Sequence, residues 1–172
     1  MKTIVSNKND LKEEEVTEVV KRVKALLINS KIEILLGYSH NEYQFPGGHV
    51  EEQEELNTAI IREIKEEVGI DLNIKSLTPF ACLLRYVKDL PEKGKNRKIE
   101  IYYYEIKTDE KPNLKKTSYT LAEQDGNFEL RYIPLTDFKK ELLENSKKYG
   151  DKKGISKEMI ELYDVYTSSL YI

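Results

Sequence analysis

Between Gly48 and Ile70 the chain reads GHVEEQEELNTAIIREIKEEVGI, and no other stretch constrains the fold as tightly. No Gly or Pro interrupts Glu51 to Val68, and Gly69 follows at once, the pattern of a helix stopped by a left-handed residue. On a helix at about 100° per residue, with Leu56 set at zero, Ile60, Ile64, Val68 and Ile61 fall at about 40°, 80°, 120° and 140°. These form the core-facing stripe. Glu66, Glu63 and Glu67 fall at about 280°, 340° and 20°, so the carboxylates gather along one border of that stripe instead of on the far face.

That placement needs a physical explanation. Carboxylates at i, i+3 and i+4 repel one another, and burial beside apolar residues raises the cost. A divalent cation removes the conflict, and a cluster of hard oxygen donors suits Mg²⁺ or Mn²⁺. Arg62, near 240°, lies beside the cluster and can pair with an acid, Glu54 at the helix entry being the candidate. Gly47 and Gly48 allow a tight turn that brings backbone close to the carboxylates. Glu51, Glu52, Glu54 and Glu55 crowd the helix start, so a phosphate has to arrive with its metal.

Around this helix the chain reads as strands followed by helices. A strand is expected up to Ile28, a turn at Asn29-Ser30-Lys31, and a second strand over Ile32–Leu36, together a hairpin. Tyr38–Glu42 reads as a polar loop and Tyr43–Phe45 as a short extended piece held so by Pro46. Further strands are expected within Leu72–Leu84, over Ile99–Ile106, and over Phe128–Pro134, with a charged hairpin tip at Lys88–Lys98. Thr108–Asn127 is a long polar connection of the kind that often carries function. Leu135–Glu144 reads as a helix with Thr136 as N-cap, and Ile155–Leu170 as a terminal helix capped near Ser156. Residues 1–15 read as polar, with a weak apolar start at Ile4-Val5. The order predicts a single α/β domain with an extra C-terminal helix.

Composition narrows the function classes. With 172 residues, 39% hydrophobic and 34% charged, the chain has enough apolar material for one real core. A net charge of −3 argues against a nucleic-acid-binding face made by bulk charge. One cysteine, Cys82, excludes an internal disulfide and points to a reducing, cytoplasmic setting, with the thiol buried in an apolar run. No apolar run approaches the roughly 20 residues that span a bilayer, so no membrane role is expected.

Gly48-x5-Glu54-x7-Arg62-Glu63-Ile64-x-Glu66-Glu67-x-Gly69-Ile70 resembles the full signature of the Nudix hydrolase family (MutT-like), and Tyr43-Gln44-Phe45-Pro46-Gly47-Gly48 is similar to its usual lead-in. The resemblance implies an α/β/α sandwich with a mixed sheet over about residues 16–146. It also implies metal-dependent hydrolysis of a diphosphate bond in a nucleoside diphosphate linked to another group, such as a nucleoside triphosphate or a dinucleoside polyphosphate. By matching position, Glu63, Glu66 and Glu67 would hold the metal, with the Gly48 carbonyl as a further ligand, and Arg62 and Glu54 would form an orienting pair. The general base would be Glu67 or a later residue, Glu123 or Glu129. Tyr86, sixteen residues beyond Ile70, matches a tyrosine of dinucleoside polyphosphate hydrolases, while Arg85 stands where ADP-ribose-specific members tend to carry proline. His49 and Glu123 are further candidates for substrate contact. The alternative is a nucleotide-binding module that keeps this fold without turnover. The tyrosine-bearing terminal helix is left to pack on the domain or on a second subunit of a homodimer.

Overall fold

The computed structural model describes residues 1–74, 76–119, 121, 127–151 and 153–169. A mixed sheet forms its middle layer. The strands are β1 (Lys2–Ser6), β2 (Glu18–Ile28), β3 (Glu33–Ser39), β4 (Glu42–Gln44), β5 (Ala81–Val87), β6 (Arg97–Lys107) and β7 (Glu129–Pro134). Their order is β1-β5-β6-β2-β3-β4, with β7 on the other side of β3. β2 runs parallel to β6 and β1 parallel to β5, and the remaining pairs are antiparallel.

Helix α1 (Leu56–Val68) covers one face, and α2 (Phe138–Tyr149) and α3 (Ile155–Ser169) cover the other. Period-two alternation assigns each strand residue to a face. Val23, Ala25, Leu27, Leu35, Tyr104 and Ile106 pack with Ala59, Ile60, Ile64 and Val68 of α1. Leu26, Ile28, Leu36, Leu83 and Tyr103 pack with Phe138, Leu142, Met159 and Leu162 of α2 and α3. Tyr103 and Tyr104 are thus both buried, on opposite faces. The α/β/α sandwich expected from the resemblance is what forms.

The pairing of β3 positions the site. β3 meets β2 only at Leu27↔Leu35 and Ile28↔Ile34, then turns away to pair with β4 and β7. The vacated edge of β2 is taken by the chain after β4. Ala25 donates its amide to Pro46 O at 2.9 Å, Val23 to Gly48 O at 3.0 Å, and Val50 to Lys21 O at 3.0 Å, with Arg22 and His49 forming a bridge. This residue-by-residue docking delivers the start of α1 to the middle of the sheet.

Several expected boundaries shift. Tyr38–Glu42 is not a loop: His40 and Asn41, at φ 51° and 63°, form a two-residue turn between β3 and β4. Residues 51–55 are not helical, because the Glu54 carboxylate accepts the Glu51 amide at 2.9 Å and turns the chain there. Asp137, not Thr136, occupies the N-cap of α2, which continues to Tyr149. Asp151, not Ser156, caps α3, accepting the amides of Ser156 and Lys157 at 3.2 and 3.1 Å. The N-terminal segment, read as polar with only a weak apolar start, supplies β1 at the sheet edge.

Candidate active site

Helix α1 carries its acids as the angular analysis requires. Glu63 and Glu67 are buried at 9% and 7% exposure beside Ile60, Ile64 and Val68, while the Glu66 side chain is 41% exposed. Arg62 ties the group together. Its Nε and Nη2 donate to the two oxygens of Glu54 at 2.9 and 2.8 Å, and its Nη1 donates to Glu63 and Glu66 at 2.9 and 3.1 Å. Nη2 also donates to the His49 carbonyl at 2.9 Å, fixing the loop to the helix. The fork geometry suits guanidinium alone. Arg62 holds the Glu54 carboxyl below its ordinary pKa, and the bond to Glu54 pushes the guanidinium pKa up.

The two glycines permit close approach. Gly47 sits at φ 132°, and a Cβ there would stand 2.2 Å from the Val23 carbonyl; its amide donates to Glu67 at 2.9 Å. A Cβ on Gly48 would stand 2.6 Å from both carboxylate oxygens of Glu63. At the far end of the helix, Asn113 and Ser118 donate amides to the carbonyls of Val68 and Glu66 at 3.0 and 2.8 Å, satisfying groups the helix end leaves open. Part of the long polar connection is thereby held beside the acids.

These residues line a cleft of about 580 Å³. Gly47, Gly48, Arg62, Glu63, Glu66 and Glu67 form its α1 side, and Arg22, Gln44, His49, Lys153 and Ile155 lie among its other lining residues. Of the expected site residues, Glu54 supports the cleft through Arg62, and His49 lines it. The Gly48 carbonyl lies against β2, where it accepts the Val23 amide. Tyr86 does not line the cleft; its hydroxyl donates to Glu13, and the Lys98 ammonium sits 5.7 Å from its ring, so it tethers the 3-10 turn Glu13–Glu15 to β5. Glu129 pairs with Arg131 at 2.8 Å outside the cleft lining. Glu123 lies outside the described residues. As their side chains stand, no three acids, histidines or cysteines among the described residues converge on one metal position.

A second charged group went unread in the sequence. Glu158 of α3, 6% exposed, accepts from Arg85 and from the Tyr103 hydroxyl and lies 3.7 Å from Lys24 Nζ. Burial lowers the Lys24 pKa and raises that of Tyr103. The available signal was period two: Arg22 and Lys24 alternate with Val23 and Ala25 on β2, which puts both cations on the face that α3 covers.

Comparison with known proteins agrees with this geometry. The NUDIX domain family matches residues 18–152, and the chain belongs to the Nudix family. It is an enzyme of the pyrophosphohydrolase class; Nudix hydrolases generally use a divalent metal and act on small nucleotide-linked substrates. Among solved structures, an Ap4A hydrolase of C. elegans in a binary complex is 20% identical, over 88% of this chain and 98% of that chain, with a TM-score of 0.53. A MutT protein from Bacillus halodurans is 16% identical, over 70% of this chain and 72% of that chain, with a TM-score of 0.52. At these identities the likeness is one of fold. No curated protein matches the sequence. No helix of the described residues is long and apolar enough to cross a membrane.

Proposed function

We propose that this chain hydrolyses a diphosphate bond in a nucleotide-type substrate, a nucleoside triphosphate or a dinucleoside polyphosphate, with Mg²⁺ or Mn²⁺ held by Glu63, Glu66 and Glu67. The observation that carries this is the placement of three carboxylates from one helix on one side of a 580 Å³ cleft, two of them buried. Their chemistry fits a hard divalent cation, and the absence of a Cβ at Gly48 leaves the Glu63 oxygens room that a side chain would fill. The Gly48 carbonyl, with one lone pair given to Val23, keeps a second for the ion.

Arg62 holds the acids in a resting arrangement. Glu63 and Glu66, which share Nη1, would hold the metal, while Glu54 binds Nε and Nη2 and holds the guanidinium in place. Gly47 orients Glu67 through its amide. When bound, the metal neutralises the diphosphate and lowers the pKa of a water ligand. Glu67 is the general-base candidate that lies within the cleft lining.

The test is product release from a panel of nucleoside diphosphate derivatives with Mg²⁺ or Mn²⁺. Glu66→Gln and Glu67→Gln each lower the rate by on the order of 100-fold or more, since metal stabilisation of the transition state is worth several kcal/mol. Unchanged turnover in both variants would remove the assigned metal role.

A further inference from the structure

Strand β4 gives the cleft a second wall, apart from the metal-holding helix. Glu42 and Gln44 are alternate residues on one face of the strand, and both line the cleft. Tyr43 between them turns the other way, is buried in the core with Phe138 and Met159, and donates its hydroxyl to Glu141 at 2.7 Å. Ser39, the cross-strand partner of Glu42, lines the cleft beside it. Among the described residues, neither the Glu42 carboxylate nor the Gln44 amide has a side-chain hydrogen-bond partner. Glu42 makes one ion-pair contact there, at 4.0 Å, with Lys153 of the α2–α3 connection.

These groups are placed to meet a ligand. The Glu42 side chain is only 22% exposed, whereas that of Lys153 is 75% exposed and can swing aside. A shielded polar group that no protein atom satisfies costs free energy until water or a ligand supplies the bond. A carboxylate accepts hydrogen bonds, and the amide of glutamine accepts and donates them. With Lys153 beside Glu42 the pair is neutral, so this end of the cleft offers no net positive charge to a further phosphate. Among the described residues, no Phe, Tyr or Trp lines the cleft, so the wall presents hydrogen-bonding groups where a base would need a ring to stack on. An uncharged group that carries adjacent hydroxyls matches it.

We propose that Glu42 and Gln44 bind the 2′- and 3′-hydroxyls of the substrate's ribose, so that the chain selects ribonucleotides. This rests on the diphosphate-hydrolase reading above. Gln44 stands three residues before Gly47, so β4 runs outward from the metal side, as a nucleotide runs from its diphosphate to its sugar. Glu42 accepts the two hydroxyl protons, a carboxylate–diol contact of the kind that reads ribose in dinucleotide-binding folds, and Gln44 donates to a hydroxyl oxygen. Both are binding residues and take no part in proton transfer.

Turnover of ribonucleoside triphosphates and of their 2′,3′-dideoxy forms with Mg²⁺, the four common bases run in parallel, tests it. The unaltered chain favours the ribo form by roughly ten-fold or more in kcat/KM, as expected for hydrogen bonds to a charged group. Glu42→Ala brings this ratio close to one, and Gln44→Ala lowers it by less. Equal kcat/KM for both forms in the unaltered chain overturns the proposal whether or not the variants fold. A ratio lost to the same extent in Lys153→Gln would mean that the Glu42–Lys153 pair only shapes the wall, and the subsite would be abandoned. Calorimetry with α,β-methylene nucleoside diphosphates, which keep the sugar but resist cleavage, reads binding apart from turnover: with Mg²⁺ the ribo forms bind roughly ten-fold more tightly than the dideoxy forms. If the unaltered chain cleaves no diphosphate with any metal, the functional reading fails, and this affinity ratio still decides the subsite, a ratio of one ending it.

Discussion

Two charged groups among the described residues are mirror images. On α1, one cation, Arg62, is shared by Glu54, Glu63 and Glu66. Beneath α3, one anion, Glu158, is shared between Arg85 and Lys24, and its charge also acts on Arg22. Acids outnumber the cation in the first group and cations outnumber the acid in the second, and both border the same cleft, which Glu63, Glu66 and Arg22 line. In the proposed function the acid-rich side of the cleft would hold the metal.

The strongest way to break the comparison is to remove the single hub on each side. Glu158→Ala leaves Arg85 and Lys24 facing each other without their acid, and the loss of one partner from a buried charge group lowers unfolding stability by about 3–5 kcal/mol, read by urea denaturation. A change below 1 kcal/mol would show that water already screens this group. Arg62→Lys keeps the charge but loses the fork to Glu54 and the bond to the His49 carbonyl. Stability then falls by about 1–3 kcal/mol, and metal affinity falls with it because the loop and acids lose their common support. Equal metal affinity in this variant would separate Arg62 from the metal site.

A smaller effect sharpens the sign of the α1 side. Arg62 lowers the Glu54 pKa in the folded state, so as pH falls the unfolded chain takes up the proton first. Stability from the pair is therefore present in full above the ordinary carboxylate range and is lost as pH falls through the lowered folded value. Glu54→Gln removes this slope. A pH titration of the unfolding midpoint with equal slopes in both proteins would show that the pair contributes nothing measurable.

The sequence was most legible where periodicity and composition agreed. The stripe Ile60, Ile64, Val68 and the border acids Glu63 and Glu67 could be placed because helical spacing is local. The Arg62–Glu54 pair was read correctly, but its consequence was not: by bonding Glu51 and Arg62, Glu54 ends the helix pattern early and delays α1 until Leu56. β1 was missed because its support is a parallel pairing with β5, far away in the chain, and a strand with one inward residue, Ile4, has little local signal. Arg22 and Lys24 could not be read as part of a charged group because the acid nearest them sits on α3, in the last tenth of the chain. Tyr86 matched a distance along the chain, and strand direction took it to Glu13 instead of the cleft.

One hydrogen bond reaches further than its length suggests. Guanidinium has no lone pair to offer, so in the Arg22–His49 contact the imidazole Nε2 must be the acceptor. The ring proton then resides on Nδ1, and neither nitrogen is left to accept another. While Arg22 stays in place, His49 can donate a hydrogen bond from Nδ1 but cannot take a proton from water. The His49 ring is thereby held in its donor form and does not compete with Glu67 for the part of base in the proposed function.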